Sequence, residues 1–95
     1  MIKAIARCVI KKEEIDTFLE VAKELVERSR GDEGCIEHKL YQDNEDETVF
    51  FFVEAWENHE CIDKHYQTEH IRELGPKIDA TFEKQMELHK TTLVV

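Results

Sequence analysis

The chain has 95 residues, 41% of them hydrophobic and 37% charged, with a formal net charge of −9. A chain this short buries roughly two-thirds of the surface it exposes when unfolded, enough for one core. A single domain over residues 1–95 is therefore expected, and the acidic balance excludes a nucleic-acid partner, which would need Lys and Arg against its phosphates.

Charges of both signs are interspersed and apolar periodicity persists, so the chain is not read as disordered. Cys8, Cys35 and Cys61 form no C-x-x-C pair. They fit reduced thiols better than a disulfide framework or a zinc site. Lys3 and Arg7 break the N-terminal stretch, which leaves no signal-peptide core. No run approaches the ~18 apolar residues of a membrane span. A cytoplasmic protein with no membrane partner is the expectation.

Residues 2 to 10 read as a strand with both faces partly buried: Ile2, Ala4, Ala6, Cys8 and Ile10 on one side, Ile5 and Val9 flanking Arg7 on the other. Residues 13 to 30 follow a helical period, with Ile15, Phe18, Leu19, Ala22, Leu25 and Val26 in one stripe. Acidic residues at its start and Arg28 and Arg30 at its end suit the helix dipole, and Gly31 and Gly34 supply the stop. Residues 35 to 42 and 48 to 57 read as an antiparallel pair joined by the polar loop DNEDE. Asn58 can cap a short helix over 59 to 66. Thr68 can cap another beginning at Glu69, with Gly75-Pro76 expected to interrupt or re-aim it. Residues 84 to 93 close the chain as a strand.

This β-α-β-β-α-β order predicts an α+β fold of the ferredoxin-like type, a four-stranded antiparallel sheet with helices on one face. The strand TVFFFVEAW sharpens the picture. Phe50, Phe52, Glu54 and Trp56 share one face, while Val49, Phe51, Val53 and Ala55 share the other. Two helices cover only one face, and an uncovered face should be polar. An all-apolar second face implies a partner sheet, most simply a homodimer through the sheet face.

Glu54 would then look toward the helices, where a carboxylate is costly unless paired or near water. It either sits at the sheet's edge, pairing with Arg or Lys, or walls a pocket. Trp56 is core material that can also hold a planar ligand. His65 and His70 could act as base and hydrogen-bond donor near a pocket, or serve as structural histidines. Their i, i+5 spacing is wrong for a two-histidine site on one helix, so no metal is expected. Arg7 could pair with Glu54 or meet an anionic substrate. His38 and His89 have no evident partners, and His59 with Asp63 fits a solvated helix face.

At EGCIEHKLYQD, FVEAWEN and HYQTEHIREL the chain resembles the antibiotic biosynthesis monooxygenase family of dimeric α+β barrel proteins. The carrying elements are Glu33-Gly34-Cys35, Glu54-Ala55-Trp56, His65 and Thr68-Glu69-His70. The resemblance implies a pocket between sheet and helices with Trp56, His65 and His70 near it. Family members include quinol monooxygenases, heme-degrading monooxygenases and an enzyme acting on phosphorylated autoinducer-2. Heme degraders carry an asparagine on the first strand where this chain shows Arg7. The autoinducer enzyme resembles E-x-Y where this chain has Trp56. The reading that results is a cofactor-independent oxygenase using O2 on a small quinol or phenol. Its expected catalytic residues are His65, His70 and Trp56, with Arg7, Phe50, Phe52, Glu54 and Tyr66 binding substrate. A phosphorylated-autoinducer isomerase, a heme degrader and a non-catalytic ligand-binding dimer are the alternatives.

Overall fold

A computed structural model describes residues 1–95. The elements follow as β1 (Ile2–Val9), α1 (Ile15–Ser29), β2 (Cys35–Gln42), β3 (Val49–Trp56), α2 (His59–His65), α3 (Glu69–Asp79) and β4 (Glu87–Thr91). All strand pairs are antiparallel, in the order β2-β3-β1-β4. That is the expected ferredoxin-like sheet. No helix is long and apolar enough to cross a membrane.

The helix-facing side of the sheet is built from even-numbered residues. Ala4, Ala6 and Cys8 of β1 stand opposite Glu54, Phe52 and Phe50 of β3. Small side chains on β1 leave room for Phe18 of α1, whose ring centroid lies 4.9 Å from Phe50 and 6.1 Å from Phe52. Ala22, Leu25 and Val26 complete the buried stripe of α1. Leu19, expected in that stripe, lies at its margin and is 40% exposed.

The ends of the helices are held by specific groups. Asn58 Oδ1 accepts the Cys61 N–H at 3.0 Å, and Thr68 Oγ1 accepts the Ile71 N–H at 3.4 Å. Contrary to expectation, Gly75-Pro76 lies inside α3 without ending it. A proline ring clashes with the residue before it through that residue's Cβ, and glycine offers none. Gly34 precedes β2 with φ 74° and packs directly on Cys61 of α2.

β4 is shorter than the expected 84–93, for reasons visible in its pairing with β1. Lys3 stands opposite Thr91, so only Thr92 still has a β1 residue across from it and later residues run past the end of β1. On the other side, Arg7 pairs with Glu87 and Ile10 with Phe82. β1 takes three steps between those pairs while the returning chain takes five. The two extra residues bulge, and Met86 lies in this irregular stretch, lining the space under α3.

The sheet's other face carries Ile5, Val9, Phe51 and Val53, all partly buried, with Tyr41 48% exposed beside them. Lys3, Glu37 and Lys39 border this patch, with Glu37 3.5 Å from Lys3 and 3.3 Å from Lys39.

Candidate active site

Between the sheet and α2–α3 lies a cavity of about 260 Å³, lined mainly by apolar side chains. Ala6 and Phe52 form its sheet wall, Leu25, Ile71 and Ile78 its helical wall, and Phe82 and Met86 close the β4 end. The polar lining groups are His38, Glu54, His65, Tyr66 and Asp79. Two of these are carboxylates, and no Lys or Arg reaches the wall.

His65 is the last residue of α2 and is 3% exposed. Its Nδ1–H donates to Asp32 Oδ2 at 2.7 Å, and His70 Nε2–H donates to the same oxygen at 2.9 Å. Asp32 reaches them from the loop between α1 and β2. That loop is fixed by Asp32 N–H donating to the Ser29 carbonyl and Cys35 N–H donating to the Asp32 carbonyl. A second anchor comes from Thr68, whose hydroxyl donates to the His65 carbonyl at 2.7 Å. The Trp56 ring lies 4.6 Å from the imidazole, centroid to centroid. With Nδ1 committed to a carboxylate, the tautomer is set and Nε2 carries the lone pair.

Below His65, Glu54 Oε1 accepts the Trp56 indole N–H at 3.0 Å. His38 Nε2 approaches the same oxygen to 3.6 Å. Burial raises the Glu54 carboxyl above the usual carboxylate range, partly opposed by the Trp56 hydrogen bond and by His65. Burial, with His65 as the next cause, pushes His38 down to about 4. Both shifts disfavour charge, so this contact is not an ion pair near neutrality. Burial and the nearby Glu54 push the Tyr66 hydroxyl up to about 12.

Of the residues expected to bind or react, the cavity wall gathers His65, Glu54, Phe52 and Tyr66. Trp56 and His70 stand behind it, touching His65 and Asp32 respectively. Phe50 is placed differently: it is 1% exposed and packs under Phe18, away from the cavity. Arg7 is also elsewhere. It stands opposite Phe51 on the face turned away from the helices, so strand alternation keeps it from Glu54.

Two residues of the site were not anticipated. Asp32 lies in RGDEGC, which reads as a turn, and nothing local marks it as a partner for histidines 33 and 38 positions away. His38 had a usable signal. The DNEDE hairpin pairs Gln42 with Phe50, and counting back along both strands puts His38 opposite Glu54. Histidines and carboxylates thus converge from different elements, as Asp32–His65–His70 and as His38–Glu54–His65. Spacing along a single helix could not anticipate either set.

The sequence profile of the family described as antibiotic biosynthesis monooxygenase matches residues 1–75. A crystal structure of an antibiotic biosynthesis monooxygenase superposes with TM-score 0.96 at 35% identity, covering all of both chains. A conserved protein from Methanosarcina mazei Go1 superposes with TM-score 0.92 at 27% identity, over 95% of this chain and 89% of that one. An uncharacterised Synechocystis protein, sll1783, is 29% identical over 79 residues. YcnE of Bacillus subtilis strain 168, named a candidate monooxygenase, is 30% identical over 63 residues. The chain covers 54% of the length of the Synechocystis protein and 66% of YcnE, against 83% and 66% of its own length. With its ferredoxin-like sheet and matching profile, the chain belongs to the antibiotic biosynthesis monooxygenase family.

Proposed function

We propose that the chain is a monooxygenase that oxidises a small, uncharged phenol or quinol with O2, the substrate itself supplying the electrons. The observation that carries this reading is the Asp32–His65 pair, 2.7 Å long, whose buried imidazole stands at the wall of a mostly apolar cavity. A phenol in the cavity gives its proton to His65 Nε2, and Asp32 stabilises the resulting imidazolium. The phenolate, stripped of water by Phe52, Ile71 and Ile78, passes one electron to O2. Phenoxyl radical and superoxide then combine at a ring carbon, forming a C–O bond, and the imidazolium protonates the peroxide. Loss of the proton on that carbon and cleavage of the O–O bond release water and leave a quinone. O2 takes four electrons, all from the ring, and places one oxygen in the product and one in water.

The wall favours this over a phosphorylated substrate, which would face Glu54 and Asp79 with no cation to receive it. The same reading takes the working unit as a homodimer joined through the open sheet face.

The test is oxygen uptake by metal-free, flavin-free protein over a panel of quinols and phenols. One O2 should be consumed per quinone formed, and His65→Ala should slow turnover by about 10²–10⁴-fold. No uptake across the panel, or a His65→Ala variant at full rate, would overturn the reading. Saturable binding without turnover would point to a ligand-binding dimer instead. Isomerisation of a phosphorylated dione would point to the autoinducer-type reaction.

A further inference from the structure

We propose that His38, Glu54 and His65 form a binding site for one divalent cation of the zinc class at the floor of the cavity. All three side chains are buried, at 2%, 7% and 3% exposure, and their ligand atoms lie within 4.8 Å of one another. Two imidazoles and one carboxylate suit zinc and its borderline neighbours, whereas calcium and magnesium take oxygen donors.

Three observations single out this set. The first is His38 itself. Its Nδ1 is buried with no hydrogen-bond partner, and its Nε2 stops 3.6 Å short of Glu54 Oε1, beyond hydrogen-bond length. Nδ1 stays unpaired with or without an ion, but a cation beside Nε2 would give that nitrogen, which faces Glu54 without a hydrogen bond, a partner for its lone pair. The second is spacing. Two ligands about 2.1 Å from a tetrahedral ion stand about 3.4 Å apart, close to the His38–Glu54 separation. The third is support from behind. Asp32 takes the Nδ1–H of His65, leaving Nε2 to bind, and the Trp56 indole orients Glu54. Carboxylate-to-histidine-to-metal chains are the usual way such ligands are held.

The neighbouring set Asp32, His65 and His70 is a weaker host. Its atoms already satisfy one another at 2.7 and 2.9 Å, too close for an ion to stand between without moving the loop. If the proposed oxidation holds, an ion at His38–Glu54–His65 takes the lone pair that would receive the phenol's proton, so it would act as an inhibitor. The binding site itself does not depend on that reaction.

Cobalt(II) titrated into the metal-free full chain tests the site by colour, with no phenol and no turnover involved. A visible d–d band of a low-coordinate ion should saturate at one cobalt per chain and vanish when Zn2+ is added. Glu54→Gln, which keeps shape, and His38→Ala should each remove the band or weaken binding at least tenfold. Asp32→Asn should weaken it about 10–100-fold, while His70→Ala should keep the band. If His38→Ala fails to fold by thermal melting, the isosteric Glu54→Gln variant decides. No saturable band would overturn the site. So would a band that survives Glu54→Gln but disappears in His70→Ala, since the ion would then sit on Asp32.

Discussion

Gly34 has φ 74°, and a Cβ added there would lie 2.3 Å from Cys61 Sγ and 2.8 Å from Cys61 Cβ. Alanine at this position would meet both the left-handed backbone and the body of α2, the helix that ends in His65. Gly34→Ala should therefore cost about 2–3 kcal/mol, read as a lower denaturant midpoint at unchanged slope. His38 makes a different prediction. Burial lowers it from 6.5 to about 4, so between those values the unfolded chain takes up a proton that the folded chain refuses. The stability is present above pH 6.5 and is lost as pH falls toward 4, by a few kcal/mol. Glu54 on β3, His65 on α2, and Asp32, His70 and Arg30 face this ring. Glu54 has the opposite sign, because its raised carboxyl favours folding at low pH and loses that contribution as pH rises. Thermal melts from pH 7 to 4 should show the wild type losing more stability than His38→Gln. At this scale, His65 and Trp56 were legible because bulky, titratable side chains cluster where a strand ends. Asp32 was not, because carboxylates in turns are common and its meaning comes from groups more than thirty residues away.

α2 has only seven residues, and its seating depends on Asn58 ahead of it and Thr68 behind. Thr68 also caps α3, so one hydroxyl joins the helix bearing His65 to the helix bearing His70. Thr68→Ala should cost about 1 kcal/mol. It should also speed amide exchange across residues 59–79 while the β1–β3 amides keep their protection. Uniform acceleration throughout the chain would mean that the helices and sheet open together. The caps and the α1 stripe were readable because each is a local rule. The run of α3 through Pro76 was misread because two helix breakers in sequence make a permissive pair: the glycine removes the Cβ that the proline would strike. The early end of β4 was equally hidden, since it is set by where β1 runs out.

The molecule is 19 Å across its thinnest dimension, about what one sheet and one helix layer occupy. The helices lie on one side of that sheet, and on the other Ile5, Val9, Phe51 and Val53 form an apolar patch with Arg7 among them, edged by Lys3, Glu37 and Lys39. An apolar patch holding an arginine and ringed by charge is the layout of a protein interface. Sedimentation should give twice the chain mass for the wild type and a monomer for Val53→Lys, whose ammonium would be buried in the seam. A wild-type monomer at micromolar concentration would refute the paired sheet. Alternation along β3 made the helix-covered layer foreseeable, and it predicts a second cover because the strand is apolar on its outer side too. Alternation could not foretell the buried carboxylate–imidazole floor, which needs the β2–β3 register and the α1–β2 loop at once.

The cavity wall also bears on the fate of the quinone that the proposed oxidation would make there. Quinones are alkylating agents that capture thiolates and free amines. None of the cavity-lining side chains is a cysteine or a lysine, and Cys8, on the helix-facing side of β1, is 0% exposed and pushed up to about 12 by burial. If the proposed oxidation holds, its quinone leaves past methionine, aliphatic carbon and carboxylates, with the His38 and His65 imidazoles and the Tyr66 hydroxyl as the nucleophiles beside it. The catalyst would then be spared thiol and amine capture by its own product.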